Sequence, residues 1–151
     1  MKLLNVITAT LVALLLAACS TNNPVATGLG ATPSPAKSEY LRTQGGGFVF
    51  KRGESKAFES CRYVVMFAPA KPEAGPFYLR TRFENPSDPS NPLVVDSEVP
   101  RDSGPFTLES PSIRGLRSRH SYKMEILIFD SPDRTHQIGQ HIQYVQSLVA
   151  F

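Results

Sequence analysis

Short runs in which large apolar and polar residues alternate, separated by proline-rich loops, constrain this chain more than any other feature. Phe77, Leu79, Thr81 and Phe83 alternate with Tyr78, Arg80, Arg82 and Glu84, and Leu93, Val95 and Val99 alternate with Val94, Asp96 and Glu98. A period of two puts one set on each face of an extended strand, so each run buries its apolar side only by pairing into a sheet. The segments between the runs, AKPEAGP and ENPSDPSNP, carry prolines that lack the N–H a helix or a ladder requires. No window of eleven residues beyond Ser38 carries a helical stripe. The domain is expected to be all-β.

The rest of the chain beyond Ser38 follows the same pattern. Gly45, Gly46 and Gly47 followed by Phe48-Val49-Phe50 are expected to open the domain with an edge strand, turned by Arg52-Gly53-Glu54. The run CRYVVMF holds a second strand, and Phe106-Thr107-Leu108 starts a short one. Tyr122, Met124, Ile126 and Ile128 line one face of a longer strand. SPDRTHQ then turns the chain into a last strand carrying Ile138, Ile142 and Tyr144 or Val145. About seven strands in about 110 residues fit an antiparallel sandwich over 45–151.

One stretch narrows the type of sandwich. Ile113-Arg114-Gly115-Leu116 leads to Tyr122, which stands six residues after Leu116 and opens an alternating strand. This stretch resembles the tyrosine corner of fibronectin type III and other immunoglobulin-like domains. The resemblance implies an immunoglobulin-like sandwich in which the phenol hydroxyl bonds upstream backbone and pins the connection between the fifth and sixth strands. The chain has no Trp, so Tyr63 or Phe67 must fill the volume that the second-strand Trp of that family occupies. Another small sandwich, such as a transthyretin-like one, stays open.

The N-terminus carries an address. Met1-Lys2 precedes an almost entirely apolar run from Leu3 to Leu16, the length of a signal-peptide core and too short for a membrane span. Leu16-Ala17-Ala18-Cys19 resembles the lipobox of bacterial lipoproteins. That resemblance implies that residues 1–18 are a signal peptide and that Cys19 is the lipidation site, bearing a diacylglyceryl thioether and an N-linked acyl chain such as palmitate. Ser20, rather than Asp, after the cysteine implies transport to the outer membrane and a periplasm-facing domain. Two or more chains anchor stably where one holds marginally. Residues 19–44 are expected to be the lipidated cysteine and a flexible linker. Its stretch STNNPVATGLGATPSPAK, Ser20 to Lys37, is too poor in large apolar groups to pack.

Chemistry leaves few traces. A lipidated Cys19 leaves Cys61 as the one remaining cysteine, expected as a buried small hydrophobe on the strand face of Tyr63, Val65 and Phe67. No phosphate loop, HExxH or GxSxG is present, and His120, His136 and His141 lack metal-ligand spacing. Asp88, Asp96, Glu98, Asp102 and Glu109 fall on loops or outward positions. No catalytic residue, cofactor or metal is expected. A formal charge of +3 without a concentrated basic surface argues against a nucleic-acid partner.

A non-enzymatic binding or assembly module is therefore the expected class. Tyr78, Arg80 and Arg82 form one candidate surface, an aromatic and two guanidiniums on an outward strand face. Arg114, Arg117 and Arg119, with His120, form the other. In a fibronectin-like topology this connection lies at the pole opposite the start of the first strand. A linker entering at that start points the arginines away from the membrane, toward an envelope protein or peptidoglycan. The alternative is an accessory lipoprotein of a secretion system or other envelope machine; the small outer-membrane lipoproteins of type VI secretion systems resemble this architecture.

Overall fold

The computed structural model describes residues 31–32, 38–52 and 58–151. The expected signal peptide, Cys19 and most of the expected linker lie outside them. The elements are β1 (Ala31–Thr32), β2 (Leu41–Arg52), β3 (Phe58–Pro69), a 3-10 turn (Pro72–Ala74), β4 (Phe77–Phe83), β5 (Leu93–Val99), β6 (Phe106–Glu109), β7 (His120–Phe129) and β8 (Gln137–Ser147). Seven long strands form two sheets, all pairs antiparallel. One sheet has the order β2-β3-β6 and the other β8-β7-β4-β5, with two-residue β1 added outside β8.

The alternating runs bury the faces their period dictates. Cys61, Tyr63, Val65 and Phe67 of β3 face Phe77, Leu79, Thr81 and Phe83 of β4 and Tyr122, Met124, Ile126 and Ile128 of β7, all buried. Tyr63 stands at the centre of the aromatic packing. Its ring centre lies 4.7 Å from that of Phe48, 5.3 Å from Phe83 and 6.4 Å from Tyr122, and its hydroxyl donates to the Glu84 carbonyl at 2.7 Å. Gly46 is required by close approach: a Cβ there would lie 2.8 Å from Val65 Cγ2 and 2.9 Å from the Val64 carbonyl oxygen. At the other rim, β5 closes the larger sheet between Pro92 and Pro100, with Asp96 and Glu98 pointing outward.

Three expectations change. β2 begins at Leu41, ahead of the Gly45 expected to open it, because Leu41 is itself a core residue and pairs with Pro69. On β8 the inward set is His141, Gln143, Val145 and Ser147, while Ile142 and Tyr144 lie half-buried on the other face and Ile138, at a bulge, packs against the core. Within the segment read as unpacked linker, Ala31 and Thr32 pair with Val145 and Tyr144.

The register also sorts the loops into two ends. At one end β2 starts, the Tyr40 carbonyl accepts from Ala70 N–H at 2.7 Å, and the Pro72 carbonyl accepts from Asp102 N–H at 3.0 Å. At the opposite end lie the β6–β7 connection, the β4–β5 loop and the residues after β8. There the Arg114 carbonyl accepts from Ser87 Oγ at 2.7 Å, and the Leu116 carbonyl accepts from Phe151 N–H at 2.9 Å.

Candidate functional site

The β6–β7 connection is built like a strap. Ser110 N–H donates to the Tyr63 carbonyl and Ile113 N–H to the Cys61 carbonyl, so the chain runs down the edge of β3 before crossing to the other sheet. Ile113 and Leu116 are buried and anchor it from beneath. Gly115 turns between them with φ of +81°, which a side chain would strain. The Tyr122 hydroxyl accepts from Arg117 N–H at 2.7 Å, which is the corner geometry the spacing of Leu116 and Tyr122 implied. Arg119, with φ of 57°, donates its N–H to the Ser147 carbonyl at 2.7 Å, and Ser118 Oγ donates to the Leu148 carbonyl at 3.0 Å.

This backbone pinning leaves the arginine side chains outside. Arg114, Arg117 and Arg119 are all exposed. Among the described residues none of the three guanidiniums has a carboxylate within 4 Å; Arg117 reaches only His120 Nε2, at 3.3 Å. Two outward carboxylates named from the sequence pair with other arginines: Glu109 with Arg62 at 3.0 Å and Asp96 with Arg80 at 2.9 Å. Three uncompensated cations on one rigid strap make a surface that attracts anions.

Apolar groups adjoin the cations, and sequence reasoning missed them. Phe50, Phe58 and Phe151 form a ring cluster with centroids 5.0, 5.7 and 6.2 Å apart. The Arg52 guanidinium lies 5.5 Å from the centre of the Phe58 ring. Phe58 is 48% exposed, and Leu148 and Val149 stand exposed beside Ser118. The apolar run Leu148-Val149-Ala150-Phe151 was visible in the sequence, but nothing local tied it to a connection some thirty residues earlier.

No family model, curated protein or solved structure matches the chain. The chemistry of the strap therefore rests on its own residues.

The second candidate surface has a different character. Tyr78, Arg80 and Arg82 do point outward from β4, but the arginines are neutralised by neighbouring strands. Arg80 makes two hydrogen bonds of 2.9 Å to the Asp96 carboxylate, holding that carboxyl below its ordinary pKa. Arg82 meets Glu125 at 3.5 Å. These cross-strand pairs stabilise register and leave less free charge for a partner.

The remaining titratable groups are spread out. His120 lies 4.0 Å from Glu84, His136 lies 2.6 Å from Asp130, and His141 is buried in the core. Cys61 is 1% exposed, and burial pushes its thiol up to about 12, which keeps it protonated and unreactive. Between the sheets Thr43 Oγ1 lies 3.1 Å from His141 Nε2 and donates to Gln143 Oε1 at 2.8 Å.

Proposed function

We propose that this chain is a lipoprotein anchored in the outer membrane through Cys19, facing the periplasm, whose immunoglobulin-like sandwich is a non-enzymatic binding or assembly module of the bacterial cell envelope. The strand order supports the fibronectin-like reading: the first, second and fifth long strands form one sheet, and the seventh, sixth, third and fourth form the other. The bond from Arg117 N–H to the Tyr122 hydroxyl supports it further. The observation that carries the functional reading is the strap itself, where Arg114, Arg117 and Arg119 are held on pinned backbone without a neighbouring carboxylate. Exposed arginines on pinned backbone suit docking onto an anionic envelope component, because the backbone that presents them is already ordered and only side-chain freedom is lost.

Two measurements test this. Cys19→Ala is expected to leave an unprocessed precursor without fatty acid; cleavage at the same place with retained membrane attachment would overturn the anchor. A photo-crosslinking residue at position 119 in intact cells is expected to give an adduct that Arg114→Glu/Arg117→Glu abolishes. Loss of a central interface arginine costs about 2 kcal/mol of binding or more, over tenfold in affinity. An adduct pattern unaffected by the double substitution would overturn the docking role. Components of a secretion apparatus among the adducts would select the accessory-lipoprotein reading.

A further inference from the structure

Resting on the lipid-anchor reading, we infer that the arginine-bearing end of the sandwich lies against the bilayer that holds the acyl chains of Cys19, with Arg114, Arg117 and Arg119 on anionic phospholipid headgroups. The ladder sets the direction. Ala31 pairs with Val145, and His120, which follows Arg119, pairs with Ser147. Val145 is two residues from Ser147 along β8, about 7 Å of strand. The chain that carries Cys19 therefore meets the folded domain beside the strap, and not at the end where β2 starts. A linker entering at Ser38 would have pointed the arginines away from the membrane; this pairing reverses that orientation.

Chain length makes the choice quantitative. Twelve peptide steps separate Cys19 from Ala31. Such a segment spans at most about 43 Å, and a flexible chain of that length has a root-mean-square span of about 20 Å. The strap is within reach at the relaxed length. Ala31 sits at Val145, eight residues or about 27 Å of strand from Gln137, so presenting the opposite end to the bilayer would stretch the segment beyond its relaxed span.

The surface chemistry agrees. Guanidiniums that have no carboxylate within 4 Å among the described residues stand on the same end as exposed Phe58, Leu148 and Val149. Cations on headgroup phosphates with apolar side chains at the acyl boundary is the composition of an interfacial membrane contact. An acidic protein would suit the arginines alone, but neither the linker geometry nor the exposed apolar side chains select it.

The test uses the acylated full-length product reconstituted in vesicles of phosphatidylethanolamine and phosphatidylglycerol, with a fluorophore at Ser118→Cys or at Arg101→Cys and a headgroup-borne quencher. Buried Cys61 stays unlabelled in the folded protein and reports that each variant has folded. Quenching is expected at position 118 and not at 101. Each arginine at an anionic surface shifts the docked population about fivefold, so Arg114→Glu/Arg117→Glu is expected to erase the difference, as is replacing the lipids by phosphatidylcholine. Equal quenching at both positions, stronger quenching at 101, or a difference that survives the double substitution overturns the proposal. A protein adduct at position 119 in cells combined with equal quenching assigns the strap to a protein partner instead. The mass of Cys19 is read first: without an acyl adduct both readings fall, whereas an adduct with equal quenching overturns only the orientation.

Discussion

Tyr122 joins two parts of the molecule through one side chain. Its ring is buried edge-on against Phe48, at 5.7 Å between centroids, and its hydroxyl holds Arg117 N–H at the start of the strap's last turn. Tyr122→Phe keeps the ring and leaves that N–H unpartnered, so a loss of about 1–2 kcal/mol is expected on denaturant titration. An unchanged midpoint would remove the bond from the account of stability. This role was legible because Leu116 and Tyr122 are local in sequence. His141 was not, since its contact Thr43 lies 98 residues away and a histidine in a strand reads as outward-facing. Burial pushes its pKa below the usual 6.5. The unfolded chain therefore takes up a proton near pH 6.5 that the folded chain refuses, and stability is expected to fall as pH drops below that value. His141→Gln, neutral throughout, is expected to flatten the slope of denaturation midpoint against pH between 7.5 and 5. A slope identical to the parent's would place the dependence elsewhere.

Among the elements, the buried faces of β4 and β7 were readable because Phe77, Leu79, Thr81 and Phe83, and Tyr122, Met124, Ile126 and Ile128, recur at every second residue. β8 deceived because its inner face carries His141, Gln143 and Ser147, which are polar, while Ile142 and Tyr144 sit outside. Thr43 from the opposite sheet satisfies part of that inner face, and no local pattern announces a partner across the core. β1 was equally invisible, being two small residues in a proline-rich stretch that acquire their conformation only from the edge of β8. Ala31→Pro/Thr32→Pro removes both N–H donors. Faster amide exchange across Tyr144 and Val145 is expected, with global stability unchanged to within about 0.5 kcal/mol. Exchange equal to the parent's would mean that the pairing is not kept in solution.

At the scale of the whole molecule, the alternating runs and proline loops were enough to predict an all-β sandwich, and the corner spacing anticipated how its sheets are joined. The candidate docking end was half legible. Its arginines are contiguous in sequence, but the phenylalanines beside them come from β2, β3 and the segment after β8. Only folding brings these together, and only the register of Ala31 shows that β1 pairs beside that end. The far rim of the larger sheet, β5, has a consequence for how copies of this chain meet. Val94 is 51% exposed there, yet Asp96 and Glu98 share its strand, and prolines stand at both ends. A short edge strand that carries charged side chains and is bounded by proline disfavours the pairing of two copies rim to rim. This rim therefore favours separate molecules over the growth of a shared sheet.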